Sequence, residues 1–214
     1  MAKFTLVIGN KNYSSWSLRP WLMLKYYNIP FAEVTIPLYA PGYKEKVLQY
    51  SPSGKVPCLL HGKVRIWESL AIGEYLADSL PKKKLWPQNK LHRAWARCVS
   101  HEMHAGFQAL RKACPMDIRK SAPLKEMDAA VRKDVDRIAQ IWKECREVFI
   151  KKGKFLFGHF TIADAMYMPV VFRFKTYGIA LKGLAEEYRL MMEKVDALKD
   201  WVEAAKIEKE TINH

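Results

Sequence analysis

At 214 residues, half of them hydrophobic, the chain can bury a real core in one large domain or two small ones and is too apolar to stay disordered. It has 36 Lys and Arg against 22 Asp and Glu, a net charge of +14, which raises nucleic acid as a possible partner. The lysines, however, fall in short runs at predicted loops and helix ends (82–84 and 151–154) without an aromatic–basic stripe, so solvated surface is expected rather than nucleic-acid binding.

No apolar run approaches the ~18–20 residues of a membrane span, and the N-terminus lacks a signal-peptide pattern. The four cysteines (Cys58, Cys98, Cys114, Cys145) form no CxxC pair and no metal-like spacing. His101, Glu102 and His104 lack the HExxH register, so no metal site is expected. These features point to a cytoplasmic protein.

In chain order, Phe4 to Ile8 is a β-rich apolar run ending at Gly9 and reads as a buried first strand. A polar loop, Asn10 to Ser15, leads into a helix from about Trp16 to Tyr27. Pro20 is tolerated only in a first turn, which sets the helix start near Ser15 to Ser17 with one of those serines as N-cap. Ile29-Pro30 ends that helix, and Phe31 to Ile36 is a second strand, giving a right-handed βαβ unit. A short helix, Tyr43 to Gln49, follows. Val56 to Leu60 reads as a strand entered through a proline, His61-Gly62 as a turn, and Lys63 to Trp67 as its hairpin partner. A helix then runs to Asp78. The order βαβ-α-ββα is that of a thioredoxin-like domain.

Residues 81–90, with Pro81, Lys82 to Lys84, Trp86 and Pro87, read as a linker, with Trp86 packing across the junction. Everything after it is predicted helical: one long helix over Leu91 to Ala113, a second over Leu124 to Ile150, and two shorter ones near 184–193 and 198–207. Cys114-Pro115 and Pro123 bracket a break in which residues 116–119 could form a cleft rim. Thr161-Ile162-Ala163-Asp164 is a capping box, with Phe160 and Ala165 placed for a hydrophobic staple, so Asp164 is expected to be structural.

Ser51-Pro52-x-Gly54-Lys55-Val56-Pro57-x-Leu59, followed by Trp67-Glu68-Ser69-x-Ala71-Ile72-x-x-Tyr75-Leu76, resembles the glutathione-binding half of the cytosolic glutathione transferases. Asn12-Tyr13-Ser14-Ser15-Trp16-Ser17-x-Arg19 looks most like the zeta-class, serine-type signature, with a bacterial-type group as the nearest fit. No cysteine lies in that loop, which argues against thiol-exchange chemistry. The resemblance implies an α/β thioredoxin-like N-terminal domain (1–80), a linker (81–90) and an all-helical C-terminal domain (91–214).

It also implies an enzyme that conjugates glutathione to small apolar electrophiles, or uses it in cis–trans isomerisation. Glutathione would be a co-substrate, and the protein a homodimer. Glu68 and Ser69 would hold the γ-glutamyl end, Val56 beside Pro57 the cysteinyl backbone, and Lys55, or less well Gln49, the glycine carboxylate. Ser14 or Ser15 would donate to the sulfur, with Tyr13 and then Asn12 as alternatives. Tyr13, Trp16, Met103, Phe107 and Leu110 would line the electrophile pocket. A non-catalytic glutathione-binding scaffold, suggested by the basic C-terminal half, is the competing expectation.

Overall fold

The structure, a computed structural model, describes residues 3–212. Its four strands are β1 (Phe4–Ile8), β2 (Phe31–Thr35), β3 (Cys58–His61) and β4 (Val64–Trp67), in the spatial order β2-β1-β3-β4. The apolar β1 lies in the interior of the sheet, parallel to β2 (Phe4 beside Phe31) and antiparallel to β3 (Val7 beside Cys58). Side chains alternate across a sheet. Phe4, Leu6 and Ile8 therefore face one layer, with Leu59, while Val7 faces the other, with Ile36, Val47 and Cys58. The first layer is covered by α1 (Ser15–Tyr26) and α3 (Ser69–Ser79), the second by the short α2 (Tyr43–Leu48). This is the expected thioredoxin-like arrangement, and β3 begins just after Pro57, not before it.

The remaining elements are helical: α4 (Lys90–Ala105), α5 (Gln108–Ala113), α6 (Ala129–Phe149), α7 (Ile162–Thr176), α8 (Gly183–Met192) and α9 (Lys199–Ile207). The buried α7 packs against both α1 and α4, so one core runs through the α/β and the helical parts. Trp86 is buried at the turn-rich stretch before α4 and donates to Glu74 of α3 at 3.0 Å, while Arg97 of α4 makes a two-pronged bond to the same carboxylate.

Two predicted helices are shorter than the pattern suggested. The helix expected over 91–113 breaks at Gly106, and Phe107 takes a left-handed φ of +62°. A Cβ on Gly106 would come within 2.8 Å of the Glu102 carbonyl, so a side chain there meets backbone. The Arg111 guanidinium takes up the Gly106 and Met103 carbonyls that the break frees, and the Asp134 carboxylate accepts the Leu110 N–H at 3.0 Å. The helix expected from Leu124 starts at Ala129, because Asp128 caps it by accepting the Val131 N–H at 2.8 Å. Residues before the cap are used elsewhere: Ala122 and Leu124 donate backbone bonds to the end of α7.

The capping box forms at the start of α7. Asp164 is fully buried, and its carboxylate accepts from the Thr161 N–H and hydroxyl, the Leu156 N–H and the Tyr188 hydroxyl at 2.8–3.1 Å. Its role is structural, as the sequence suggests.

Candidate active site

A cavity of about 280 Å³ opens where α1, the β3 entry and the start of α3 converge, lined by Trp16, Ser53, Lys55, Val56, Pro57 and Glu68. Its volume lies near the small end of the ~300–1,000 Å³ typical of ligand sites. The Val56–Pro57 peptide is cis. The β3–β4 ladder begins at Cys58, so the main chain of Val56 enters no strand pairing and can meet an extended ligand. Glu68 precedes α3 with φ +71° and ψ 125°, a conformation that costs a non-glycine residue about 1–3 kcal/mol. That twist holds its exposed carboxylate at the cavity, 3.7 Å from His104 Nε2. Ser69, the first residue of α3, is buried and accepts from Arg19 Nη1 at 3.5 Å.

The loop before α1 is held from three directions. Asn12 is fully buried: its amide donates to Asp117, its side-chain carbonyl accepts the Arg119 N–H, and its backbone carbonyl accepts the Ile118 N–H. The Glu208 carboxylate, after α9, accepts the N–H groups of Lys11 and Asn12 at 2.6 and 3.0 Å. The Tyr13 hydroxyl accepts from Arg119 at 2.9 Å and reaches the Glu210 carbonyl. Asn12 and Tyr13 thus anchor the loop, and residues 117–119 form its clamp. Ser14 is the N-cap, accepting the Ser17 N–H, and its hydroxyl donates to Ser17 Oγ at 2.7 Å. Ser15 accepts from Arg173 Nη2 at 3.3 Å. Both serines are nearly buried beside Trp16, and neither reaches the cavity wall.

Of the other predicted residues, Lys55, Val56, Pro57, Glu68 and Trp16 come together around the cavity. Gln49 does not: it is the exposed C-cap of α2. Met103 and Leu110 are fully buried and Phe107 nearly so, all in the core. None of the three lines this cavity, and their i, i+4, i+7 stripe is interrupted where the helix breaks at Gly106.

Around Trp16 stands a cluster of basic side chains that the sequence did not reveal. Trp16 is flanked by the guanidinium groups of Arg19 (4.4 Å from its ring) and Arg111 (5.0 Å), with His104 edge-on at 5.2 Å. Burial, reinforced by mutual repulsion with Arg111 and Arg173, pushes the Arg19 pKa well down, and burial likewise brings Arg173 down to about 9. Burial, and then Arg19, lowers the His104 pKa, while the nearby Glu68 carboxylate opposes that shift. Arg19 Nη2 and Arg173 Nη1 have no hydrogen-bond partner among the described residues. Only the spacing of Arg19 from the serines hinted at this; Arg111 and Arg173 join from α5 and α7.

A thioredoxin-like layer with a cis-proline edge, a carboxylate at the start of α3 and a serine-rich first-helix start defines a glutathione-transferase fold and site. Residues 13–79 match the glutathione S-transferase N-terminal domain, and residues 126–204 its C-terminal domain. The chain belongs to the glutathione S-transferase family. It is 29% identical over 177 residues to a probable maleylacetoacetate isomerase of Caenorhabditis elegans, covering 78% of this chain and 77% of that one. It is 33% identical over 141 residues to glutathione S-transferase GstA of Escherichia coli O157:H7, covering 63% and 64%. A glutathione transferase homologue from Burkholderia, solved with bound glutathione, superposes with a TM-score of 0.70 at 20% identity over 95% of this chain and 97% of that one.

Proposed function

We propose that the protein is a glutathione transferase, zeta-like, that binds glutathione in the Trp16–Glu68 cavity and activates its thiol for conjugation or cis–trans isomerisation. The observation that carries this reading is the convergence of Lys55, the unpaired main chain of Val56 and the strained Glu68 on one cavity. The tripeptide would lie extended along the Val56–Pro57 edge. Its γ-glutamyl ammonium would meet Glu68, with Ser69 beneath, and its glycine carboxylate would meet Lys55. Ser53, which the sequence reading passed over, stands on the same wall.

The free thiol has a pKa near 8.5, so a neutral-pH enzyme must favour thiolate. The N-terminus of the 12-residue α1, a serine hydroxyl and the arginines around Trp16 all favour negative charge at that end. Thiolate would then attack the electrophile, either keeping the new C–S bond or releasing it after rotation about the substrate double bond. With Arg111 and His104 beside Trp16, an electrophile bearing a negative group suits this end better than a wholly apolar one. The relative named maleylacetoacetate isomerase supports including isomerisation. We further propose a cytoplasmic homodimer; four free cysteines fit a reducing compartment.

Isothermal calorimetry tests the binding mode. The parent should bind glutathione, and Glu68→Ala should lose a charge-assisted hydrogen bond, about 1.5–3 kcal/mol. Unchanged affinity in that variant would remove Glu68 from the site. Binding without turnover in a conjugation and an isomerisation assay would favour a scaffold over an enzyme.

A further inference from the structure

We infer that the protein carries an interaction surface apart from the Trp16–Glu68 cavity: a lysine patch that docks on membranes rich in anionic lipid headgroups. The two lysine runs that are separate in the sequence, 82–84 and 151–154, are neighbours in the fold. The chain at Lys84 and Leu85 lies against the entry to α7. There the His159 ring donates to the Lys84 carbonyl at 3.1 Å, and the Leu85 carbonyl accepts the Ile162 N–H at 3.0 Å. The second run folds back onto the same place. Phe155 and Gly158 exchange backbone bonds at 3.0 and 3.3 Å, and a Cβ on Gly158 would come within 2.9 Å of the Lys152 Cβ. His159 follows directly and so joins the two runs. Lys82, Lys83, Lys84, Lys151, Lys152 and Lys154 are all exposed.

The patch is not neutralised from within. Neither 80–90 nor 148–160 contains an acidic residue, and none of the six lysines forms an ion pair among the described residues. Lys83 Nζ donates to the Tyr27 carbonyl at 2.8 Å, which leaves its charge in place. The carboxylates at the edges already have partners. Glu147 faces Lys143 at 3.7 Å, and Asp196, which senses Lys154, pairs with Lys199 at 2.9 Å. On that side the patch continues into a cleft of about 450 Å³, where Lys154 meets Lys194 and Lys25, the last paired with Asp200. What the patch lacks decides its partner. Its two stretches hold no arginine, the side chain that reads guanine edges, and the rings beneath it (Phe149, Phe155, Phe157, Phe160) are buried and offer no face to a base. It does offer aliphatic groups: Val148 and Ile150, just before Lys151, are 55% and 46% exposed. Ammonium groups beside exposed aliphatic side chains suit a lipid surface, the former meeting headgroup phosphates and the latter entering the interfacial layer.

The test is flotation of the whole chain with vesicles of phosphatidylcholine and phosphatidylglycerol, compared with phosphatidylcholine alone. The parent should bind only the anionic vesicles and be released as salt is raised. Lys82→Gln with Lys84→Gln, and separately Lys151→Gln with Lys152→Gln, should each lower the partition coefficient about 25-fold, at about five-fold per lysine. Ile150→Ser should weaken binding without changing its salt dependence. The charge-matched control is Lys120→Gln with Lys125→Gln. Those lysines flank the far end of α7, whose 15 residues span about 22 Å, and the control should bind like the parent. If the control loses as much as the patch variants, net charge alone is at work and the patch is refuted. A parent that stays off anionic vesicles at physiological salt refutes it as well. Tighter binding to duplex DNA than to the vesicles, lost with the same lysines, would overturn the lipid assignment in favour of nucleic acid. Two separate lysine pairs keep the test decisive if one of them fails to fold, and no outcome depends on whether glutathione binds.

Discussion

Glu68 sits in a backbone conformation that only glycine adopts without cost, and nothing in its own hydrogen bonding repays it: it makes no side-chain cap bond to α3. Strain kept at a cavity edge is expected where function needs a side chain in one place. Glu68→Gly should therefore stabilise the fold by about 1–3 kcal/mol in urea titration while weakening glutathione binding, opposite signs from one substitution. A fall in stability would mean that the conformation is not strained. The cysteines make a second residue-scale case. Burial pushes the thiols of Cys58, Cys114 and Cys145 up, to about 11 for Cys114 and about 12 for Cys145, whereas Cys98 is exposed on α4. A thiol reagent at pH 8 should label Cys98 alone in the native protein and all four after denaturation, as mass spectrometry of the labelled peptides would reveal.

At the scale of elements, α7 does more than fill the core. Its first turn is fixed by Asp164, and its last turns carry Arg173 to the first turn of α1. Asp164→Ala would leave two N–H groups and two hydroxyls inside the protein without their acceptor. At about 1–3 kcal/mol per orphaned group, partly relieved by relaxation, the loss should be about 3 kcal/mol or more in chemical denaturation. Asp164→Asn, which keeps an acceptor oxygen, should cost less. An Asp164→Ala protein within 1 kcal/mol of the parent would contradict the role given to this network. The break between α4 and α5 is the other decisive element: by turning the chain at Gly106 it buries Leu110 and brings Arg111 over Trp16.

At the scale of the whole molecule, the site is assembled from distant parts of the chain. The loop from Asn10 to Ser14 is gripped by residues 117–119 and by Glu208, and the cation beside Ser15 comes from position 173. No helix of the described residues is long and apolar enough to cross a membrane. The edge strand β4 leaves Val64 and Trp67 exposed, and Leu91 at the start of α4 is 78% exposed. Covering such apolar positions is a reason to form the proposed dimer. Sedimentation should give a dimer at micromolar concentration, and Leu91→Glu should shift it toward monomer. A parent that sediments as a monomer there would end the proposal.

The sequence by itself determined what depends on near neighbours. The alternation of Phe4 to Ile8 sorts those side chains between two layers, Asp164 stands three residues after its capped Thr161, and the Lys55–Val56–Pro57 and Glu68–Ser69 segments carry their own turn and strand chemistry. Those features are local, and local patterns survive in a linear string. The tertiary structure alone decided the rest. A stripe at Met103, Phe107 and Leu110 reads as one face only if the helix is continuous, and its break depends on partners that lie outside it, such as Asp134. Which oxygen at the start of α1 meets a guanidinium 158 positions away, that of Ser15, is likewise set by packing alone, because at that distance spacing carries no information.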